Sequence, residues 1–209
     1  MVQKVLERLK WLGHSSFVYS GPPVIYFDPY GLRDGEAADL ILISHHHPHH
    51  CSLVDLEKVR RSGTVIVTDK TAARKIEFPV ITLEPGEQAM VEGIMIEGVP
   101  AYNLTTSFHP KREGHLGFIV TLEGVRVYHA GDTDFIPEMR DFEVDIALLP
   151  VTGFSVMTVA EAAQAALALR AQVVIPMHYG APFGSLADAA ESLRGLLAGR
   201  IRVEILAKG

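Results

Sequence analysis

Five of this chain's ten histidines fall in Ser44-His45-His46-His47-Pro48-His49-His50, immediately after the apolar run Leu40-Ile41-Leu42-Ile43. Four consecutive aliphatic residues do not alternate, so the run predicts a strand buried on both faces, inside a layered fold. A buried strand that ends in a histidine-rich turn delivers several imidazoles to one sheet edge, and imidazole is the commonest side-chain ligand for metals such as zinc. His45 and His47 alternate onto one side with His50 three positions on, whereas His46 points the other way. The cluster is internal, unlike a terminal purification tag. A metal centre is expected at the end of this strand.

The rest of the chain limits what such a centre can serve. At 209 residues, with 48% hydrophobic, the sequence predicts a single domain over 1–209 with a sizeable core. No stretch reaches the roughly 18 apolar residues of a membrane span. The charged N-terminus lacks a signal-peptide core, so a cytoplasmic location is expected. A net charge of −6 without a basic run argues against nucleic acid as a partner. A small molecule is the expected partner, and a homo-oligomer is compatible with the sequence. Metal ions in a cleft would supply local positive charge for an anionic substrate. The single cysteine, Cys51, excludes an internal disulfide and suits a reducing compartment. It reads as a buried thiol in preference to a ligand beside His50.

Strands are expected around Val5–Trp11, Ser16–Tyr19, Val24–Phe27, Leu40–Ser44, Thr64–Thr68 and Val80–Leu83. Hairpins follow at Gln88–Val91 with Gly93–Val99 and at Leu116–Leu122 with Val125–His129. Asp145–Leu149, Gln172–Pro176 and Val203–Leu206 complete the strands. Ser52 reads as the N-cap of a helix carrying Leu53, Leu56 and Val59, and a short helix lies near Thr71–Ile76. Thr158-Val159-Ala160-Glu161 is a capping box opening a helix to about Leu169, and another helix spans Ser185–Ala198. Strands early and helices late in each half suggest two sheets packed face to face with helices outside.

Further polar groups end apolar strands in the same way. They are Asp28 after Val24–Phe27, His109 after Thr105–Phe108, Asp132 after Val125–Tyr128, and His178 at the end of the strand from Val173. Gly131 and Gly180 beside them would let backbone approach a metal or substrate closely. His109 competes with His115 as a ligand and is favoured. His129 reads as a ring packed behind Asp132, and Asp134 as a loop brace.

His45-x-His47-x-His49-His50, Asp132 and His178 resemble the metallo-β-lactamase superfamily, whose signature is H-x-H-x-D-H with a later His, Asp and His. Gly13-His14-Ser15-Ser16-Phe17, Phe27-Asp28-Pro29-Tyr30, Ala101-Tyr102-Asn103, Phe108-His109-Pro110-Lys111, Tyr128–Asp134, Leu149-Pro150-Val151 and Pro176-Met177-His178-Tyr179-Gly180 are similar to its branch of small predicted metal-dependent hydrolases. That branch resembles L-ascorbate-6-phosphate lactonase. The resemblance spans nearly the whole chain and implies the α/β four-layer αββα sandwich. It further implies a first metal site of His45, His47 and His109, a second with His50 and His178, and Asp132 bridging both. Asp28 would orient ligands by hydrogen bonding. His14 matches a family position near the site whose role is open, and Tyr102, Asn103 and Tyr179 are candidates to touch substrate.

One departure matters most: His49 stands where the family has aspartate. Three outcomes follow: His49 ligates the second ion, it swings away and leaves a weak second site and a one-metal protein, or catalysis has been lost. With Asp132 as the sole carboxylate, two divalent ions keep one more positive charge than in the family pattern. A ligating His49 gives a nitrogen-rich site suited to zinc, iron or nickel. One or two divalent ions are expected, zinc first, with iron, nickel or manganese as alternatives. The expected activity is hydrolysis by a metal-bound hydroxide of an ester, lactone or phosphodiester bond in an anionic small molecule, with Asp132, His49 and His14 as catalytic candidates. The alternative is a metal-binding or sensing protein of the same fold. A second departure from the family pattern is Phe154-Ser155-Val156, which makes more apolar a segment that is often Gly-rich and Thr/Tyr-containing in the family it resembles.

Overall fold

The computed structural model describes residues 1–180 and 187–209. Two mixed sheets form its centre. The first has six strands in sequential order: β1 (Leu9–Gly13), β2 (Ser16–Tyr19), β3 (Ile25–Phe27), β4 (Leu40–Ile43), β5 (Val65–Thr68) and β6 (Ile81–Thr82). The second has seven: β7 (Gln88–Val91), β8 (Ile94–Pro100), β9 (Leu116–Leu122), β10 (Val125–His129), β11 (Ile146–Pro150), β12 (Val173–Met177) and β13 (Arg202–Val203). β7 to β10 are antiparallel neighbours, and β10 to β13 run parallel.

The histidine-bearing strand β4 is central and parallel to both β3 and β5. Its four residues are fully buried, and they alternate between two cores. Leu40 and Leu42 join Phe17, Phe27, Phe118 and Val127 between the sheets. Ile41 and Ile43 pack with Tyr26, Ile66, Leu56 and Val59 under the outer helices α2 (Leu53–Val59) and α3 (Lys70–Ala73). The second sheet is covered by α4 (Val159–Leu169) and α5 (Ala187–Leu197). The layers therefore run helix, sheet, sheet, helix, the expected αββα sandwich.

Caps behave as their chemistry requires. The Ser52 side chain accepts from the Asp55 amide, and Thr158 with Glu161 closes a reciprocal capping box. Cys51 is buried in the outer core, where burial raises its thiol to about 11.

Four expectations need correction. Thr105–Phe108, expected as the strand before His109, is irregular, and the Thr106 hydroxyl bonds locally to Asn103 Oδ1. The first strand does not begin at Val5: residues Val2–Arg8 form a helix, α1, and only Leu9 onward is strand. Val2, Val5, Leu6 and Leu9 follow helical spacing, and Val5 and Leu6 are buried. The strand expected at Val80–Leu83 shrinks to Ile81–Thr82, and the one expected at Val203–Leu206 falls instead at Arg202–Val203, both at sheet edges. The first two residues of the helix expected over Ser185–Ala198 lie outside the described residues. No described helix is long and apolar enough to cross a membrane.

Candidate metal centre

The parallel strands β3, β4, β10, β11 and β12 all end at one rim, and each is followed there by a polar side chain: Asp28, the His45–His50 turn, Asp132, Thr152 and His178. Carboxyl ends of parallel strands are the usual ligand-binding edge of such sheets. The β1–β2 turn adds His14, tied to the same rim by the hydrogen bond from the His178 amide to the His14 carbonyl.

Two groups of potential ligands form. His45, His47, His109 and Asp132 each bring one donor atom within 4.8 Å of the others, and His14, His50 and His178 do the same. In the first group, His45 Nε2 lies 3.0 Å from His47 Nδ1, which lies 3.2 Å from His109 Nε2. Asp132 Oδ2 is 3.5 Å from His109 Nε2 and 4.0 Å from His45 Nε2. Tetrahedral zinc, with bonds of about 2.0–2.1 Å, needs ligand-to-ligand edges of about 3.3–3.4 Å. The four atoms bracket that value.

Proton positions strengthen the fit. His109 Nδ1 meets the Ser155 carbonyl at 3.1 Å and Asn103 Oδ1 at 2.9 Å, both acceptors, so Nδ1 carries the proton and Nε2 a lone pair. Ser44 Oγ donates to Asp28 Oδ2 at 2.7 Å and accepts from His45 Nδ1 at 2.9 Å, which leaves His45 Nε2 bare as well. His47 Nδ1 faces both bare nitrogens and could donate to only one. At least one lone pair therefore goes without a donor, a deficit that a cation removes.

Asp132 connects the groups. Its Oδ2 lies 3.2 Å from His178 Nε2, and its Oδ1 lies 3.3 Å from His50 Nε2. Oδ1 and His50 Nε2 are buried, and neither makes a hydrogen bond within the described residues. Both look toward the same point, as a carboxylate and an imidazole would around a divalent ion. His50 is aimed from behind by Asp28, whose Oδ2 accepts from Nδ1 at 2.6 Å while Oδ1 takes the Ser44 amide at 2.7 Å. Thr152 Oγ1 meets His178 Nδ1 at 3.0 Å.

Charge follows the same logic. Burial opposes a proton on His50, but Asp132 and Asp28 outweigh it and raise this imidazole to about 10. Burial also opposes charge on Asp132, yet His178 and His50 hold it well below the usual carboxylate range. Burial and then His109 lower His47 to about 4, and burial with His178 and His50 lowers His14 to about 2. His45 and His109 are lowered too, mainly by burial. Most of these rings are therefore neutral, the state a metal ligand needs, around one anionic carboxylate.

The backbone at the rim is strained. His14 (φ 54°), Asp28 (φ 43°), Ser155 (φ 54°) and His178 (φ 66°) are non-glycine residues in the left-handed region. Such positions concentrate at functional sites. Gly131 (φ 63°) sits where any Cβ would come 2.7 Å from the Leu116 carbonyl oxygen, so only glycine lets Asp132 reach its place.

The other expected residues fall as follows. His49 is in neither group; its ring is edge-on to Tyr30 at 5.2 Å and 5.7 Å from His14, which takes the position beside His50 and His178. Asn103 braces His109 and also donates to Asp134 Oδ1 at 2.8 Å. Tyr102 turns its hydroxyl to Glu138 at 2.9 Å and Lys111 at 3.3 Å. Tyr179 stacks on Trp11 at 4.7 Å. His129 is fully buried with Nε2 2.8 Å from the Ser15 carbonyl, and Asp134 Oδ2 accepts the Leu104 amide. Sequence reasoning missed Ser44, Thr152 and the Ser155 carbonyl. Ser44 follows β4 directly and Thr152 lies two residues beyond β11, which is the only signal they carry.

Comparison with known proteins places these residues in context. The β-lactamase superfamily domain profile matches residues 8–178. A UPF0173 metal-dependent hydrolase of Thermococcus kodakarensis is 33% identical over 98% of both chains. One from Nitratidesulfovibrio vulgaris is 34% identical over 83% of this chain and 80% of its own. Among solved structures, a candidate metal-dependent hydrolase from Parabacteroides distasonis superposes with a TM-score of 0.85 at 33% identity, covering 95% of this chain and 91% of that one. Igni18, a metallo hydrolase from Ignicoccus hospitalis, gives 0.77 at 25% identity over 96% and 95%.

Proposed function

The chain belongs to the β-lactamase superfamily and to its UPF0173 metal-dependent hydrolases, and from that premise we propose that it hydrolyses an ester, lactone or phosphodiester bond of an anionic small molecule. The observation that carries this reading is the convergence of His45 Nε2, His47 Nδ1, His109 Nε2 and Asp132 Oδ2 on one point.

His45, His47, His109 and Asp132 would hold a first divalent ion, with zinc the metal their N₃O set suits best. His50, His178 and His14 would hold a second, shared through Asp132. When bound, a divalent cation supplies Lewis acidity and lowers the pKa of a water molecule from about 16 to about 7. The chain's part is to keep that chemistry in place. Asn103 and the Ser155 carbonyl fix the His109 tautomer, Asp28 fixes His50, and Thr152 holds His178. Two divalent ions bring four positive charges and Asp132 cancels one, which supports preference for an anionic substrate. His49, half-buried beside Tyr30, would stand on the substrate side of the second ion and act on the leaving group. Phe108 and Phe154, largely exposed and 5.6 Å apart, make an apolar lip beside His109 that would receive an uncharged part of the substrate.

The test is a panel of a phosphodiester, a phosphorylated lactone and neutral esters, with metal content measured on the same sample. Turnover of anionic members, lost with a chelator and abolished by Asp132→Asn, is expected. A metal-loaded protein that cleaves only neutral members overturns the anionic preference.

The position of His49 supports a second reading, a metal-binding or sensing protein that has lost hydrolysis. It predicts an inert wild type that holds ions, with turnover appearing in His49→Asp. Hydrolysis by the wild type excludes it.

A further inference from the structure

Beside His45, a third group of ligand-type side chains meets: His46, Glu113 and His115, with one donor atom from each within 4.8 Å of the others. It shares no residue with the other two groups. His46 comes from the turn after β4, and Glu113 and His115 flank Gly114, whose φ of 68° folds the short turn before β9 back on itself. We propose that these three side chains form a separate site for a divalent transition-metal ion, of the two-imidazole, one-carboxylate type.

Four observations support it. His115 is 2% exposed, and neither ring nitrogen makes an aligned hydrogen bond within the described residues; Nε2 lies 3.0 Å from Glu113 Oε2, at ligand-pair spacing, and Nδ1 faces no polar partner. A buried imidazole without an aligned hydrogen bond at either nitrogen is costly unless something takes its lone pair. His46 is set up as a donor. Thr71 Oγ1 gives its proton to Asp69 Oδ2 at 2.7 Å and so accepts from His46 Nδ1 at 3.0 Å, which leaves Nε2 with a lone pair. Thr71, the outer residue that fixes this tautomer, plays the part Asn103 plays for His109. Finally, His46 and Glu113 are only half-buried, so an ion has a route from solvent, and both side chains can rotate inward to tighten the present spacing. Lys75 lies on the backbone side, donating to the His46 carbonyl at 2.9 Å, and neutralises none of the three ligands.

Imidazole and carboxylate together select zinc, iron, nickel or cobalt over magnesium and calcium. The ring of His115 is 5.0 Å from that of His45, so an ion held here would sit next to the first catalytic set without sharing a ligand.

The probe is zinc alone, counted per chain by equilibrium dialysis in the micromolar range on the full-length protein. Glu113→Gln changes a half-exposed residue outside the other two groups, and His115→Phe replaces the buried ring by one of similar size. Each variant is expected to bind one equivalent fewer than wild type, while Asp132→Asn, which damages the catalytic pair, keeps that equivalent. Equal zinc counts in wild type and Glu113→Gln overturn the proposal, whether or not His115→Phe folds. Loss of the same equivalent in Asp132→Asn also overturns it, because the ion would then belong to the catalytic pair.

Discussion

Replacing Asp28 by Asn isolates how much of the metal centre depends on a residue that is not itself a proposed ligand. Asp28 is 1% exposed and has a φ of 43°, a conformation that asparagine tolerates as well as aspartate, so size and backbone are conserved. What changes is the hydrogen-bond polarity. The carboxylate accepts from the Ser44 amide, the Ser44 hydroxyl and His50 Nδ1 at 2.6–2.7 Å. An amide can keep the first of these through its oxygen, but its NH₂ group then faces the Nδ1 proton of His50. His50 relieves the clash by moving its proton to Nε2, the atom that lies 3.3 Å from Asp132 Oδ1. That move removes a ligand from the second ion. Outer partners of metal ligands typically contribute about 10- to 100-fold in affinity, or about 1.4–2.7 kcal/mol. The tautomer conflict places D28N at the upper end for the second ion, with about tenfold for the first, where Ser44 Oγ loses its acceptor but stays beside His45 Nδ1. Zinc affinity by chelator competition, with a melting curve to show intact folding, measures this. If folded D28N holds every ion within about twofold of wild type, Asp28 does not aim His50 and the assignment of the second site is wrong.

Metal uptake at pH 8 should release about one proton per chain, because Asp132 and Asp28 hold a proton on His50 up to about 10 in spite of its burial. A pH indicator in weak buffer reads it, and uptake without release contradicts the assignment. In the presence of a chelator, Tm should fall steadily as pH drops below 6.5. His14 and His115, lowered by burial and neighbouring imidazoles to about 2 and about 3, stay neutral in the folded chain while their unfolded forms take up protons below 6.5. Stability present above 6.5 is therefore lost on acidification, by up to about 1.4 kcal/mol per pH unit for each fully buried ring. His50 has the opposite sign: its contribution is complete below 6.5 and is lost only as pH rises toward 10, so it leaves the acid slope unchanged. A flat Tm between pH 6.5 and 4 would exclude this account. Gly131→Ala should lower zinc affinity more than it lowers Tm, since its Cβ meets the Leu116 carbonyl oxygen and pushes Asp132 away; parallel chelator and thermal titrations separate the two losses.

Legibility in the sequence followed the range of the interactions involved. Leu40–Ile43 announced a doubly buried strand because both of its faces are apolar, and the structure splits those faces between two cores. The capping box at Thr158 and the N-cap at Ser52 are local hydrogen bonds between residues three apart, so they were readable as written. The N-terminal helix was misread because seven residues with an apolar pair at Val5-Leu6 fit a strand pattern as well as a helical one until the sheet edge is known. Nothing local relates Asn103 to His109, Thr152 to His178 or Thr71 to His46, since each pairing is made by loops at the sheet rim. The same reasoning explains His14 and His49. The motif places His49 next to His50 in sequence, which invites a ligand reading. Yet the turn in which the His50 and Cys51 amides both bond to the His47 carbonyl separates the two neighbouring rings. His14, 36 residues from His50, is instead brought beside it by the positive φ of the β1–β2 turn and the backbone bond to His178. In the proposed second site, the place the motif gives to aspartate would thus be filled by a residue from outside the motif. The nitrogen-rich second set predicts that His14→Ala lowers affinity for the second ion more than His49→Ala does, which chelator competition on the two variants decides directly.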